Sequence, residues 1–105
     1  PVKENQRNYK LWKKYYKGSS GLMGIKINSN SKKSVDKFVN SLKLFGHGYS
    51  WGGFESLALH QEINEQGNRK YLRLNKNEYL VRLHVGLEDP KDLIKDLSNS
   101  LKYIK

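Results

Sequence analysis

One stretch limits the possible folds more than any other. Between positions 79 and 85, Tyr79, Val81, Leu83 and Val85 alternate with Leu80, Arg82 and His84. That two-residue period marks a strand with an apolar row on one face. Gly86 ends the run, and a helix start follows at once. Asp89 stands at the N-cap, Pro90 at the first helical position and Asp92 in the first turn. Asp89 and Asp92 complement the positive end of the helix dipole, and Lys102 and Lys105 the negative end. Leu93, Ile94, Leu97, Leu101 and Ile104 form the stripe expected to be buried. A one-faced strand leading into an amphipathic helix calls for a helix layer on a sheet.

The remainder of the chain fits the same plan. Gly18-Ser19-Ser20-Gly21 reads as a turn; it lacks the Gly-Lys-Ser/Thr and the helix start that a phosphate loop needs. Met23, Ile25 and Ile27 then alternate as a half-buried strand. Ser31 is placed to cap a helix running to about Phe45, with Val35, Phe38, Val39 and Leu42 on one stripe and Gly46 or Gly48 as a left-handed stop. Phe54 to Leu59 is a short apolar run with strand character. Residues 61–78 are polar and read as a long loop, with a weak strand at 71–74. Near the start, Tyr9, Trp12, Tyr15 and Tyr16 lie among Lys10, Lys13, Lys14 and Lys17. The expected arrangement is a short helix whose aromatic side anchors to a core while the lysine heads reach water. The predicted fold class is α+β: one domain over residues 1–105, a two-layer sandwich with a small, mainly antiparallel sheet covered by helices.

Composition narrows the function. The 105 residues carry a formal charge of +10, which raises the possibility of a small RNA-binding module, with aromatics stacking bases near the start of the chain. Against it, the basic residues are overwhelmingly Lys, scattered among Asn, rather than the Arg that reads bases and grips phosphates bidentately. No nucleic-acid partner is therefore expected. Cys is absent, which removes disulfides and thiolate metal sites and suits a cytoplasmic protein. His47, His60 and His84 lack metal-ligand spacing. No apolar run is long enough to span a bilayer.

Two groups stand out as candidates for chemistry. Arg82 sits mid-strand, opposite the apolar row, where a rigid guanidinium can grip a carboxylate with two parallel hydrogen bonds. A solvated Arg, or one paired with Glu55 or Glu88, is the plainer alternative. Ser50-Trp51-Gly52-Gly53 can stand a ring over a pocket, because the glycines leave the backbone uncovered; a core Trp beside a turn is the alternative. His84 shares a face with Arg82. No nucleophile elbow of the Gly-x-Ser-x-Gly kind is present.

Several segments together carry a family resemblance. Tyr49-Ser50-Trp51-Gly52-Gly53-Phe54-Glu55-Ser56-Leu57 and Leu80-Val81-Arg82-Leu83-His84-Val85-Gly86-Leu87-Glu88-Asp89 resemble the C-terminal domain of the Cys/Met-metabolism pyridoxal-phosphate enzymes. Leu11-Trp12-Lys13-Lys14, Gly18 to Leu22, Phe38 and Leu44-Phe45 follow in the same order. Within that family, Ser50-Trp51-Gly52-Gly53 and the Arg-Leu-His run look like the bacterial cystathionine β-lyases. The γ-acting relatives, cystathionine γ-lyase and γ-synthase, commonly have Leu at the position of Trp51.

The resemblance implies the C-terminal small domain of a fold-type I pyridoxal-phosphate enzyme. It implies α,β-elimination of cystathionine to homocysteine, pyruvate and ammonia, and assembly as a homotetramer. It also gives roles: Arg82 binding the substrate α-carboxylate, Trp51 lining the pocket beside it, and Ser50 near both the carboxylate and the catalytic lysine. The Schiff-base lysine and the residues holding pyridoxal 5'-phosphate are expected upstream of this sequence, so the segment by itself is expected to be inactive.

Overall fold

The computed structural model describes residues 6–48, 53–62 and 74–105. Strands β1 (Leu22–Asn28), β2 (Gly46–His47), β3 (Leu57–Gln61) and β4 (Glu78–His84) form one sheet in the order β1-β4-β3-β2. β4 pairs antiparallel with β1 and with β3, while β2 lies parallel to β3. The strand with the clearest alternation is thus flanked on both sides. Its Val81 and Leu83 are buried, and its other residues are half-buried.

The register sorts the side chains into two faces. Met23, Ile25 and Ile27 of β1 lie opposite Leu83, Val81 and Tyr79 of β4, and Ala58 of β3 lies opposite Leu83. This face meets helices α2 (Lys32–Ser41) and α3 (Pro90–Ser100) in one core. Val35, Phe38 and Val39 of α2 and Leu93 of α3 pack there with Ile27, Ala58, Val81 and Leu83. Burial of each large aliphatic or aromatic side chain contributes about 1.5–3 kcal/mol. The expected α+β architecture, with helices over a mainly antiparallel sheet, is the one observed.

Helix α2 starts where Ser31 predicts: its hydroxyl accepts from the Ser34 amide at 3.2 Å. It ends earlier than expected, at Ser41. Leu42 turns extended (φ −64°, ψ 133°) and enters the core together with Phe45. Neither Gly46 nor Gly48 supplies a left-handed stop, since Gly53 is the one described glycine with positive φ. Gly46 instead opens β2, its N–H donating to the Ser56 carbonyl at 2.8 Å.

Helix α3 begins at Pro90 behind Asp89, whose carboxylate accepts from the Lys91 amide at 2.8 Å. Its buried stripe is rotated from the expected one. Leu93, Asp96 and Ser100 are buried, whereas Ile94 is 63% and Leu101 53% exposed. Asp96 explains the rotation. Its carboxylate accepts from the amides of Lys43 and Leu44, which follow the end of α2. Turning Asp96 inward turns Ile94 outward. A 3-10 turn, Leu101–Tyr103, closes the segment, with Tyr103 and Ile104 packed on the core.

Two further expectations change. The strand placed at Phe54 to Leu59 runs instead over Leu57–Gln61, and Phe54 is exposed. Helix α1 (Tyr9–Tyr15) forms but has no buried residue, so it does not anchor in the core. Its rings are occupied locally: Tyr9 and Trp12 lie 6.0 Å apart, and Lys13 and Lys14 reach over Tyr9 and Tyr15. The weak strand proposed at 71–74 lies almost wholly outside the described residues. No described helix is long and apolar enough to cross a membrane.

Candidate functional site

The face of the sheet turned away from α2 and α3 carries Arg82. Its neighbours across the strands are Gly24 on β1 and Leu59 on β3. Gly24 puts no side chain of its own beside Arg82; a Cβ there would press on the Leu80 Cδ1 at 3.3 Å. Leu80 and His84 lie two residues to either side of Arg82 and complete the row. The sequence alone placed Arg82 opposite the apolar row. Only the register shows that Gly24 clears the space beside it, since no local pattern pairs positions so far apart.

Two hydrogen bonds hold backbone over this row. The Arg82 guanidinium donates to the Gly48 carbonyl at 3.3 Å. His84 Nε2 lies 3.3 Å from the Gly53 carbonyl, a contact in which the ring nitrogen must be the donor. Gly48 and Gly53 are the described residues that bracket Ser50 and Trp51. Ser50 and Trp51 themselves lie outside the described residues. Gly53 has φ of 118°, a conformation that side-chain-bearing residues rarely adopt.

Immediately after this bracket the chain is clamped to the end of β4. Ser56 is fully buried. Its amide donates to one oxygen of Glu88 at 2.9 Å, and its hydroxyl donates to the other at 2.7 Å. The same hydroxyl accepts from the Gly86 amide at 2.8 Å. The Leu87 amide donates to the Phe54 carbonyl at 2.9 Å. These bonds from the Ser56 amide, then from its hydroxyl, hold the Glu88 carboxyl below the usual carboxylate range. Both Glu88 oxygens therefore serve Ser56, and not Arg82 as one sequence-based alternative had it. Sequence reasoning missed the Ser56–Glu88 pair because a Ser and a Glu so far apart carry no joint signal.

His60 is placed elsewhere. It lies on the helix-covered face, where its Nδ1 meets Asp36 Oδ1 of α2 at 2.6 Å and its ring meets Tyr79 edge-on. It ties β3 to α2. Nearby, at the surface, Lys32 pairs with Glu62, which raises the ammonium and lowers the carboxyl. Among the described residues no group of three or more His, Asp or Glu is placed to hold a metal.

A family profile described as Cys/Met metabolism PLP-dependent enzyme matches residues 1–102. The chain belongs to this family. Cystathionine beta-lyase of Bordetella avium is 43% identical over 91 residues, covering 87% of this chain and 22% of that protein. An L-alanine/L-glutamate racemase of Wolbachia pipientis wMel is 37% identical, covering 89% of the chain and 23% of the relative. The crystal structure of cystathionine gamma synthase from Xanthomonas oryzae pv. oryzae in complex with cystathionine superposes with a TM-score of 0.75 at 25% identity, covering 95% of this chain and 26% of that one. The chain thus spans about a quarter of the length of these members of the Cys/Met-metabolism family.

The described residues of this family member do not fit pyridoxal phosphate on their own. Every described lysine is solvent-exposed, and none stands in a water-shielded pocket suited to a Schiff base. What they offer is a half-buried guanidinium on a rigid strand beside two held loop ends.

Proposed function

We propose that this chain is the substrate-carboxylate-binding, C-terminal domain of a longer carbon–sulfur lyase that performs α,β-elimination of cystathionine. The observation that carries the reading is the position of Arg82. It stands mid-strand on the face away from the core, next to Gly24, with its guanidinium at the Gly48 carbonyl. A guanidinium fixed in this way can take a carboxylate bidentately and hold the amino acid in one orientation over the reacting bond. The family resemblance gives Ser50 and Trp51 roles beside the same carboxylate.

In this reading the cofactor belongs to the remainder of the protein, where it supplies the electron sink for the elimination. This chain contributes orientation of substrate and shape of the pocket wall. Trp51 favours the β-acting reading, as does the 43% identity to a cystathionine beta-lyase. A γ-acting enzyme is the second reading, because the superposed structure is a cystathionine gamma synthase. The assembled enzyme is proposed to be a cytoplasmic homotetramer.

The test is an assay of the full-length protein with pyridoxal phosphate and L-cystathionine, identifying the keto acid released. Pyruvate with homocysteine supports β-elimination. 2-Oxobutyrate with cysteine transfers the chain to the γ-acting group. Absence of both overturns the lyase reading.

A further inference from the structure

The Ser56–Glu88 contact lies outside the row that bears Arg82, yet it joins the two pieces of chain that such a site needs. One piece is 53–56, which leaves the stretch containing Ser50 and Trp51. The other is 86–88, which leaves the strand containing Arg82. Four hydrogen bonds link them: Ser56 amide to Glu88, Ser56 hydroxyl to Glu88, Gly86 amide to the Ser56 hydroxyl, and Leu87 amide to the Phe54 carbonyl.

The packing at the joint admits no substitute for glycine. A methyl group on Gly86 would collide with the Phe54 carbonyl and with the backbone of Glu55. Ser56 is fully buried, so its hydroxyl has no water to turn to if Glu88 is removed. The hydroxyl donates once and accepts once, which fixes its rotor. An anionic acceptor makes both Ser56 bonds stronger than neutral ones.

We infer that Ser56 and Glu88 are positioning residues, which lock residues 53–56 to the end of the Arg82 strand and thereby fix the Gly53 carbonyl and the outer face of that strand, from which Arg82 meets the substrate. Neither touches substrate in this arrangement. They act through the backbone at Gly53–Ser56 and Gly86–Glu88. His84 supports the same geometry at the Gly53 carbonyl. The inference rests on the proposed lyase function for its catalytic consequence, and on the hydrogen bonds alone for its structural one.

The experiment uses the full-length holoenzyme. Glu88→Ala and Ser56→Ala are compared with wild type for kcat, KM for L-cystathionine, and keto acid released. Displacing a substrate-binding group by about an ångström costs up to about 100-fold in rate, so a fall of about 10- to 100-fold in kcat/KM is expected, with an unchanged cofactor absorbance. A merely structural role is separated by a double-mutant cycle with Arg82→Lys. If the clamp acts by aiming Arg82, Glu88→Ala costs little once the Arg82 fork is gone.

Fully additive losses, or a kcat/KM within about twofold of wild type, overturn the inference. If Glu88→Ala does not fold, Glu88→Gln keeps one acceptor oxygen for the Ser56 amide, and the same cycle is read with it. Should wild type release no keto acid, the lyase reading fails separately. The clamp is then judged by amide hydrogen exchange at Ser56, Gly86 and Leu87. Protection in wild type that is lost in Glu88→Gln upholds it, and unprotected amides in wild type overturn it.

Discussion

Asp96 of α3 places both carboxylate oxygens 3.0 Å from the amide of Lys43, and one of them also accepts from the Leu44 amide at 2.8 Å. One buried side chain thus caps the turn that follows α2. Asp96→Ala removes the acceptor from two backbone N–H groups at once. Bonds to a charged acceptor are worth about 1.5–3 kcal/mol each, and these share one carboxylate. A loss of about 2–4 kcal/mol in urea unfolding is expected. Asp96→Asn, which keeps one carbonyl oxygen, should lose less.

Phe38 and Leu101 make a contrasting pair. Phe38 is 1% exposed in the centre of the core, whereas Leu101 is 53% exposed. Phe38→Ala should cost about 3–5 kcal/mol, a large part of the stability of a domain this size. Leu101→Ala should stay within about 1 kcal/mol. Denaturant midpoints of the two variants decide this, and equal costs would contradict the rotated stripe of α3.

Glu88 gives the stability a definite pH dependence. Its carboxyl is lowered, first by the Ser56 amide and next by the Ser56 hydroxyl. A depressed folded-state value means that the group stabilises the fold above its unfolded value of about 4.3. That contribution is lost as pH falls through the lower, folded value. Wild type should therefore lose stability on acidification below about pH 4.3, and Glu88→Gln should show a shallower slope there. Glu78, lowered by the Asn75 amide and by Lys26, contributes in the same direction.

Arg82 is tested for geometry rather than charge. Arg82→Lys keeps the positive charge but loses the planar fork. In the full-length protein it should raise KM for L-cystathionine by at least about tenfold, close to the effect of Arg82→Ala. A Lys variant with wild-type KM would show that charge alone is enough.

The legible parts of the sequence were those governed by local rules. β4 was clear because a strand flanked on both sides repeats its burial every second residue. The caps at Ser31 and Asp89 were clear because each side chain reaches an amide within three residues. Whatever depends on distant partners was not legible. The early end of α2 and the rotation of α3 both follow from Asp96 meeting Lys43 and Leu44. Gly24 beside Arg82 needs the β1–β4 register. The place of Arg82 on the outer face of a strand was legible, while the Ser56–Glu88 contact was not.

The alternation in β4 has one more consequence. Val81 and Leu83 point into the core and Arg82 points away, so sliding this strand by a single residue would exchange them. A guanidinium would then be buried among aliphatic groups, and two aliphatic side chains would stand on the outer face in its place. The error that ruins the interior also ruins the outer face. Correct folding and correct orientation of Arg82 are therefore a single event, and a misaligned chain is lost to instability before it can present an altered outer face.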